Sequence, residues 1–352
     1  MAWQGIEGHD AVAARFVAAH DRGRIAGSYL FVGPPGVGKG TFALALARAL
    51  VCDAPQPGLA ACGRCASCVQ AAAGSHPDID VVCKPEDRST IPLESFIGDA
   101  EHRMREGLCW RMLLRPALAS RRVAIILDAD HLADEAANCL LKTLEEPPGQ
   151  SVIILVGTAL ERQLPTIRSR CQIIRFRPLP TDIVRRLVEA DARSAGASPE
   201  AALLDACAAA AGGSVAQARL LLDPDMASFR DRLVDLLGRR TLHGVALSRE
   251  TTALVDAAGK EAPPRRARLR LILGAAVEFF RVAVRAGTVG DRPADAVLAR
   301  GIGTWSGDPE AAATALEHTL DALDAVDRNA NLNVLVDAWT SLLEEPRLAV
   351  DA

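Results

Sequence analysis

Lysine is nearly missing from this chain: Lys39, Lys84, Lys142 and Lys260 are the only ones among 352 residues, and the rest of its 40 Lys+Arg are arginine. With abundant alanine this reads as genomic composition, but it makes a lysine inside a motif hard to ascribe to chance. An excess of positive charge is missing too. The net charge of −4 excludes a protein that coats nucleic acid through bulk charge, so any DNA contact must be local or shared with partners. No apolar run reaches the roughly 18 residues of a membrane-spanning helix, and no basic start precedes an early apolar stretch. The expectation is therefore a cytoplasmic chain with no membrane partner. Its length and 49% apolar content suit two or three globular domains.

Disulfides are not expected in a reducing compartment, so the nine cysteines need another account. Cys52, Cys62, Cys65 and Cys68 cluster, with two x₂ spacings in a row after a nine-residue loop that contains Pro55, Pro57 and Gly58. Such a loop can fold four thiolates tetrahedrally around Zn²⁺, and a filled coordination sphere makes the site structural. His76 lies nearby and is not needed as a ligand. Cys83, Cys109, Cys139, Cys171 and Cys207 stand among apolar neighbours and read as small buried residues.

Five β-rich runs, 28–32, 79–83, 123–127, 152–156 and 172–176, alternate with helical patterns, which predicts a parallel sheet with helices on both faces. Leu132, Ala136, Ala137, Leu140, Leu141 and Leu144 form a helical stripe that stops before Pro147-Pro148. After Pro178-Leu179-Pro180 the pattern is helical throughout, with breaks at Gly196, Gly212-Gly213, Pro263-Pro264, 287–293 and 301–309.

The run Gly33-Pro34-Pro35-Gly36-Val37-Gly38-Lys39-Gly40-Thr41 is almost a phosphate-binding loop. Gly33, Gly36 and Gly38 let backbone N–H groups turn inward around a polyphosphate, and Lys39 reaches its terminal oxygens. The hydroxyl that should hold Mg²⁺ directly after the lysine is replaced by Gly40. Thr41 comes one residue late, about 100° round the helix. Val123 to Asp128 ends a buried strand with an acid suited to Mg²⁺, yet the water-polarising glutamate that should follow is Ala129. Asp130 is expected to point elsewhere.

These segments, the four-cysteine loop, Asn138 to Pro148, and Ser169-Arg170-Cys171 together resemble the AAA+ subunits of the bacterial sliding-clamp loader. The resemblance is specific over about residues 5–180. It implies an AAA+ (RecA-like) α/β domain over 1–178 with the zinc module at about 52–68, a helical lid over 179–228 and an all-α collar over 229–352. It also implies sheet order 5-1-4-3-2. Arg170 then corresponds to the arginine that enters the nucleotide site of the neighbouring subunit, worth about 10³–10⁵ in rate in related NTPases. Thr158 falls at the polar sensor position that ends the fourth strand. In Gly213-Ser214-Val215-Ala216, the lid arginine that would sense the γ-phosphate is Ala216.

Metal hydroxyl, glutamate and lid arginine are thus all absent while Arg170 is retained. The expected function is that of a non-hydrolysing subunit which activates an adjacent motor. Its implied partners are the gamma/tau and delta subunits in a hetero-pentamer, with the sliding clamp and primer–template DNA reached through the complex. Zinc is the expected cofactor, and the residues leave open whether ATP and Mg²⁺ are bound at Gly33, Gly36, Gly38, Lys39, Asp128 and Thr158. The alternative is an ATP-hydrolysing gamma/tau-type motor, which would carry Ser or Thr at 40, Glu at 129 and Arg at 216. A stand-alone zinc DNA-binding module would need a basic loop, but Asp53 and Arg64 are the only charges between Cys52 and Cys68.

Overall fold

The computed structural model describes residues 3–348 except 86–87, 104, 240–241, 291–292, 294, 306 and 329. Five parallel strands, β1 (Ser28–Val32), β2 (Ile79–Val82), β3 (Val123–Ile126), β4 (Val152–Val156) and β5 (Gln172–Arg175), lie in the order β2-β3-β4-β1-β5. This is the order that the resemblance implies, and the strand boundaries agree to within a residue.

Because side chains alternate along a strand, β1 feeds two cores. Tyr29 and Phe31 enter an aromatic core with Phe16, Phe42 and Phe176, while Leu30 and Val32 enter an aliphatic one with Ile126, Leu140 and Leu155. Helix Lys39–Leu50 contributes Phe42 and Leu46 to the first; helix Asp134–Glu145 contributes Leu140 and Leu144 to the second. The three inner strands are thereby buried on both faces. Just ahead of β2, the fully buried Asp78 carboxylate accepts from the backbone N–H groups of Ala117 (2.6 Å), Leu118 (2.8 Å) and Ala119 (2.8 Å), with Arg122 beside it.

The chain divides into two compact units, 1–187 with 212–216 and 188–211 with 217–352. Among the described residues no strand follows Arg175. The second unit is helical, and its core gathers Phe229, Leu233, Leu237, Leu269, Ile272, Phe279, Phe280 and Trp339. Trp339 Nε1 donates to Thr319 Oγ1 at 3.1 Å, which satisfies the buried indole. Residues 228 and 229 both lie inside helix Pro224–Gly238. The break expected over 301–309 separates helix Ala296–Thr304 from helix Pro309–Asp327, although Gly301 itself does not interrupt the chain. It sits within helix Ala296–Thr304, where a Cβ would come 2.4 Å from Val234 Cγ1, so the glycine permits close packing. No described helix is long and apolar enough to cross a membrane.

Candidate nucleotide loop, arginine finger and cysteine cluster

The phosphate-type loop leaves the C-terminal end of β1, beside β4 and β5, where the strand order reverses and open α/β sheets place ligands. Gly36 (φ 74°) and Gly38 (φ 93°) hold left-handed backbone that favours glycine. Close contacts from the same unit crowd the loop. A Cβ on Gly33 would lie 2.3 Å from Phe176 O; one on Gly36 would lie 2.1 Å from Ser214 Oγ and 2.8 Å from Ala216 Cβ. Gly40 has more room, its nearest neighbour being Leu127 Cδ2 at 3.4 Å.

Lys39 is 6% exposed, and its Nζ donates to Gly33 O and Pro34 O, both at 2.6 Å. Burial pulls its pKa down to about 8, partly offset by the charge of Asp130. The ammonium is thus bound to the loop's own carbonyls. Beneath the loop, buried His9 donates from Nε2 to Val37 O at 2.7 Å and meets Phe176 edge-on. Nothing in the local sequence marked His9, because its partner is 28 residues away.

Asp128 is exposed in a left-handed conformation (φ 55°). Asp130 does not point elsewhere, contrary to expectation. The 3₁₀ turn Ala129–His131 returns it to the strand ends, where Oδ2 accepts from Thr158 N at 2.7 Å and Oδ1 from Gln163 Nε2 at 2.5 Å. Thr158 O in turn accepts from Gly33 N at 3.1 Å, so Thr158 joins the loop through its backbone. Gly157 makes room for this cluster, since a Cβ there would come 2.7 Å from both Asp130 Oδ1 and Gln163 Nε2.

Arg170 lies between helix Pro165–Arg168 and β5, its side chain 31% exposed. Nε donates to Glu145 Oε2 at 3.3 Å and Nη1 to Thr166 O at 3.1 Å. Val32 stands opposite Arg175 in the sheet register. Gly33 is therefore level with residue 176, just past the C-terminal end of β5, whereas Arg170 precedes its N-terminal end, and residues 172 to 176 span roughly 13 Å at 3.3 Å per residue. Arg170 stands at the opposite end of the sheet from its own phosphate loop.

Helix Lys39–Leu50 runs directly into the cysteine loop. The Sγ atoms of Cys52, Cys62, Cys65 and Cys68 all lie within 4.8 Å of one another, with Cys52–Cys65 at 3.9 Å and Cys62–Cys68 at 4.0 Å. A tetrahedron of thiolates at 2.3 Å from zinc has edges of about 3.8 Å, so the donor set fits the metal. Backbone N–H groups point at the sulfurs: Cys62 N at Cys52 Sγ (3.3 Å), Cys65 N at Cys62 Sγ (3.4 Å) and Cys68 N at Cys65 Sγ (3.3 Å). The Arg64 and Cys65 amides pull the Cys62 thiol down to about 6, whereas burial pushes Cys68 up to about 12. The N-terminal segment pins the loop, with Trp3 Nε1 donating to Gly58 O and Gln4 bonding Leu59 O and Ala61 N. His76 is buried outside the cluster, its Nδ1 accepting from Asp78 N at 3.0 Å. Cys109, Cys171 and Cys207 are buried as expected, but Cys83 and Cys139 are exposed, one following edge strand β2 and the other on the outer face of a helix.

Residues 8–180 match the family described as DNA polymerase III, delta subunit. The chain is 34% identical over 252 residues to the DNA polymerase III subunit gamma/tau of Mycobacterium tuberculosis, covering 71% of this chain and 41% of the relative. It is 34% identical over 166 residues to the DNA polymerase III subunit delta' of Escherichia coli (47% of each chain), and 36% over 159 residues to that of Pseudomonas aeruginosa (45% of each). The chain thus spans less than half the length of the curated relatives it matches. Sheet order, degenerate loop and these matches together identify it as a relative of the DNA polymerase III clamp-loader subunits, close to delta-prime.

Proposed function

We propose that the chain is a delta-prime-type, non-hydrolysing clamp-loader subunit that supplies Arg170 to the nucleotide site of a neighbouring gamma/tau-type motor. The supporting observation is the position of Arg170 at the end of the sheet opposite its own loop, with roughly 13 Å of strand between them, beyond the reach of an arginine side chain. A guanidinium so placed serves another subunit or none. Phosphoryl transfer depends on positioning and charge, and a finger neutralises charge that develops in the transition state. In this reading the chain works within a hetero-pentamer with gamma/tau and delta subunits, on a sliding clamp and primer–template DNA. Residues 1–178 form the AAA+ domain, 179–228 the lid and 229–352 the collar, and a structural zinc is held by Cys52, Cys62, Cys65 and Cys68.

The gamma/tau match over 252 residues favours a second reading, that of a motor subunit. Gly40, Ala129 and Ala216 argue against it. The test is DNA- and clamp-stimulated ATPase of a reconstituted complex with wild-type motors and Arg170→Ala in this chain. Turnover should fall with the KM for ATP little changed, because the finger acts on transition-state charge. Unchanged turnover in an intact complex would reject the finger.

A further inference from the structure

Resting on that trans-acting reading of Arg170, we propose that Glu145 is a positioning residue that orients the Arg170 guanidinium toward the neighbouring nucleotide. A guanidinium is a rigid planar fork with three nitrogens. Here Nε is held by Glu145 Oε2 and Nη1 by Thr166 O, while Nη2 has no hydrogen bond among the described residues. Two anchors on opposite sides of the fork fix its plane and leave Nη2 and the second Nη1 proton for phosphoryl oxygens.

Both anchors stand on braced elements. Glu145 ends helix Asp134–Glu145, whose last turn is tied to β1 by Ser28 Oγ donating to Leu144 O at 2.9 Å. Just beyond it, Pro147 packs over Gly27, where a Cβ would come 2.6 Å from Pro147 Cγ. Thr166 belongs to helix Pro165–Arg168, which is fastened to the aliphatic core by Ile167, 1% exposed. The guanidinium therefore takes its orientation from two elements that are themselves fixed to the sheet. A finger held in this way loses less freedom when it engages a phosphate. The Glu145 carboxylate is 61% exposed, and exposed pairs contribute little to folding. Its loss should therefore be felt in orientation more than in stability.

The experiment measures stimulated ATPase of the reconstituted complex carrying Glu145→Ala, Glu145→Gln, Arg170→Ala or Glu145→Ala/Arg170→Ala, with assembly and melting temperature recorded for each. Glu145→Ala should lower kcat about 2- to 5-fold, the range expected of an exposed pair, with the KM for ATP and the melting temperature unmoved. Glu145→Gln keeps an acceptor oxygen and should recover at least half the lost rate. In the Arg170→Ala background Glu145→Ala should add nothing. A defective Arg170→Ala beside a normal Glu145→Ala overturns the positioning role while leaving the finger standing. So does a Gln variant as slow as the Ala one, a Glu145→Ala that raises turnover, or one that slows the Arg170→Ala complex further. A normal Arg170→Ala overturns both.

Discussion

The backbone N–H of Val215 donates to the Gly36 carbonyl at 3.0 Å, so the segment carrying Ala216 is hydrogen-bonded to the tip of the phosphate-type loop. Ser214 and Ala216 occupy the space where a Gly36 side chain would be. Gly36→Ala should therefore be costly twice over, through strain at φ 74° and through the 2.1 Å clash with Ser214 Oγ. The expected loss is about 1–3 kcal/mol, read as a lower urea midpoint at unchanged m-value. Gly23→Ala supplies the control. Its φ of 64° imposes similar strain, but nothing lies within 4 Å of the added carbon.

Asp78 gives a pH-dependent prediction. Burial raises the pKa of its carboxyl, but the amides of Ala119, Ala117 and Leu118 and the charge of Arg122 outweigh it, and the net shift is downward. A depressed folded pKa means stability that is present above the unfolded value of about 3.9 and is lost as pH falls below it. Asp78→Asn keeps one acceptor oxygen and puts an NH₂ group against backbone donors. It should lower stability by about 1–3 kcal/mol at pH 7 and narrow the gap from wild type below pH 4. Urea midpoints of both proteins between pH 7 and pH 3 check the sign; a gap that widened on acidification would refute it.

The sequence was most legible where the determinants are local. Ser28 to Val32 and Val123 to Ile126 are short apolar runs of residues that form buried parallel strands, and the glycines at 33, 36 and 38 announce the turn between strand and helix. What it hid were pairings across long separations: His9 with Val37, Asp130 with Thr158 and Gln163, and Glu145 with Arg170. Asp130 is instructive. Counting along the chain sends it away from the site, but the left-handed Asp128 and the following 3₁₀ turn bring it back to Thr158 and Gln163 at the strand ends, where its charge is felt by Lys39. A positive φ at an aspartate leaves little trace in a single sequence.

The cysteine cluster predicts about one zinc per chain. Structural zinc contributes roughly 10–16 kcal/mol in small zinc peptides, so a strong chelator should release the loop that Trp3 and Gln4 pin. Metal analysis of protein purified without chelators should find zinc, and Cys65→Ser should lower its content. Substitution of Co²⁺ should give a thiolate charge-transfer band. Metal-free protein with an unaltered melting temperature would reject the site.

Position 40 separates a missing atom from a missing machine. Gly40→Ser restores the hydroxyl after Lys39, and the site accepts it, because the added Cβ would meet Leu127 at 3.4 Å and serine suits a helix better than glycine by about 0.5 kcal/mol. The variant should fold at least as well as wild type. It should still show no ATP turnover as an isolated chain. Asp130 remains bonded to Thr158 and Gln163, and neither Ala129 nor Ala216 supplies a base or a cation. Catalysis of phosphoryl transfer needs these groups positioned together, so restoring one should leave the rate at background. Phosphate release by wild type, Gly40→Ser and Gly40→Ser/Lys39→Ala is the measurement. A rate in the single variant that the added Lys39→Ala abolishes would mean that the hydroxyl alone had been limiting, and that this chain is a motor lacking one atom group.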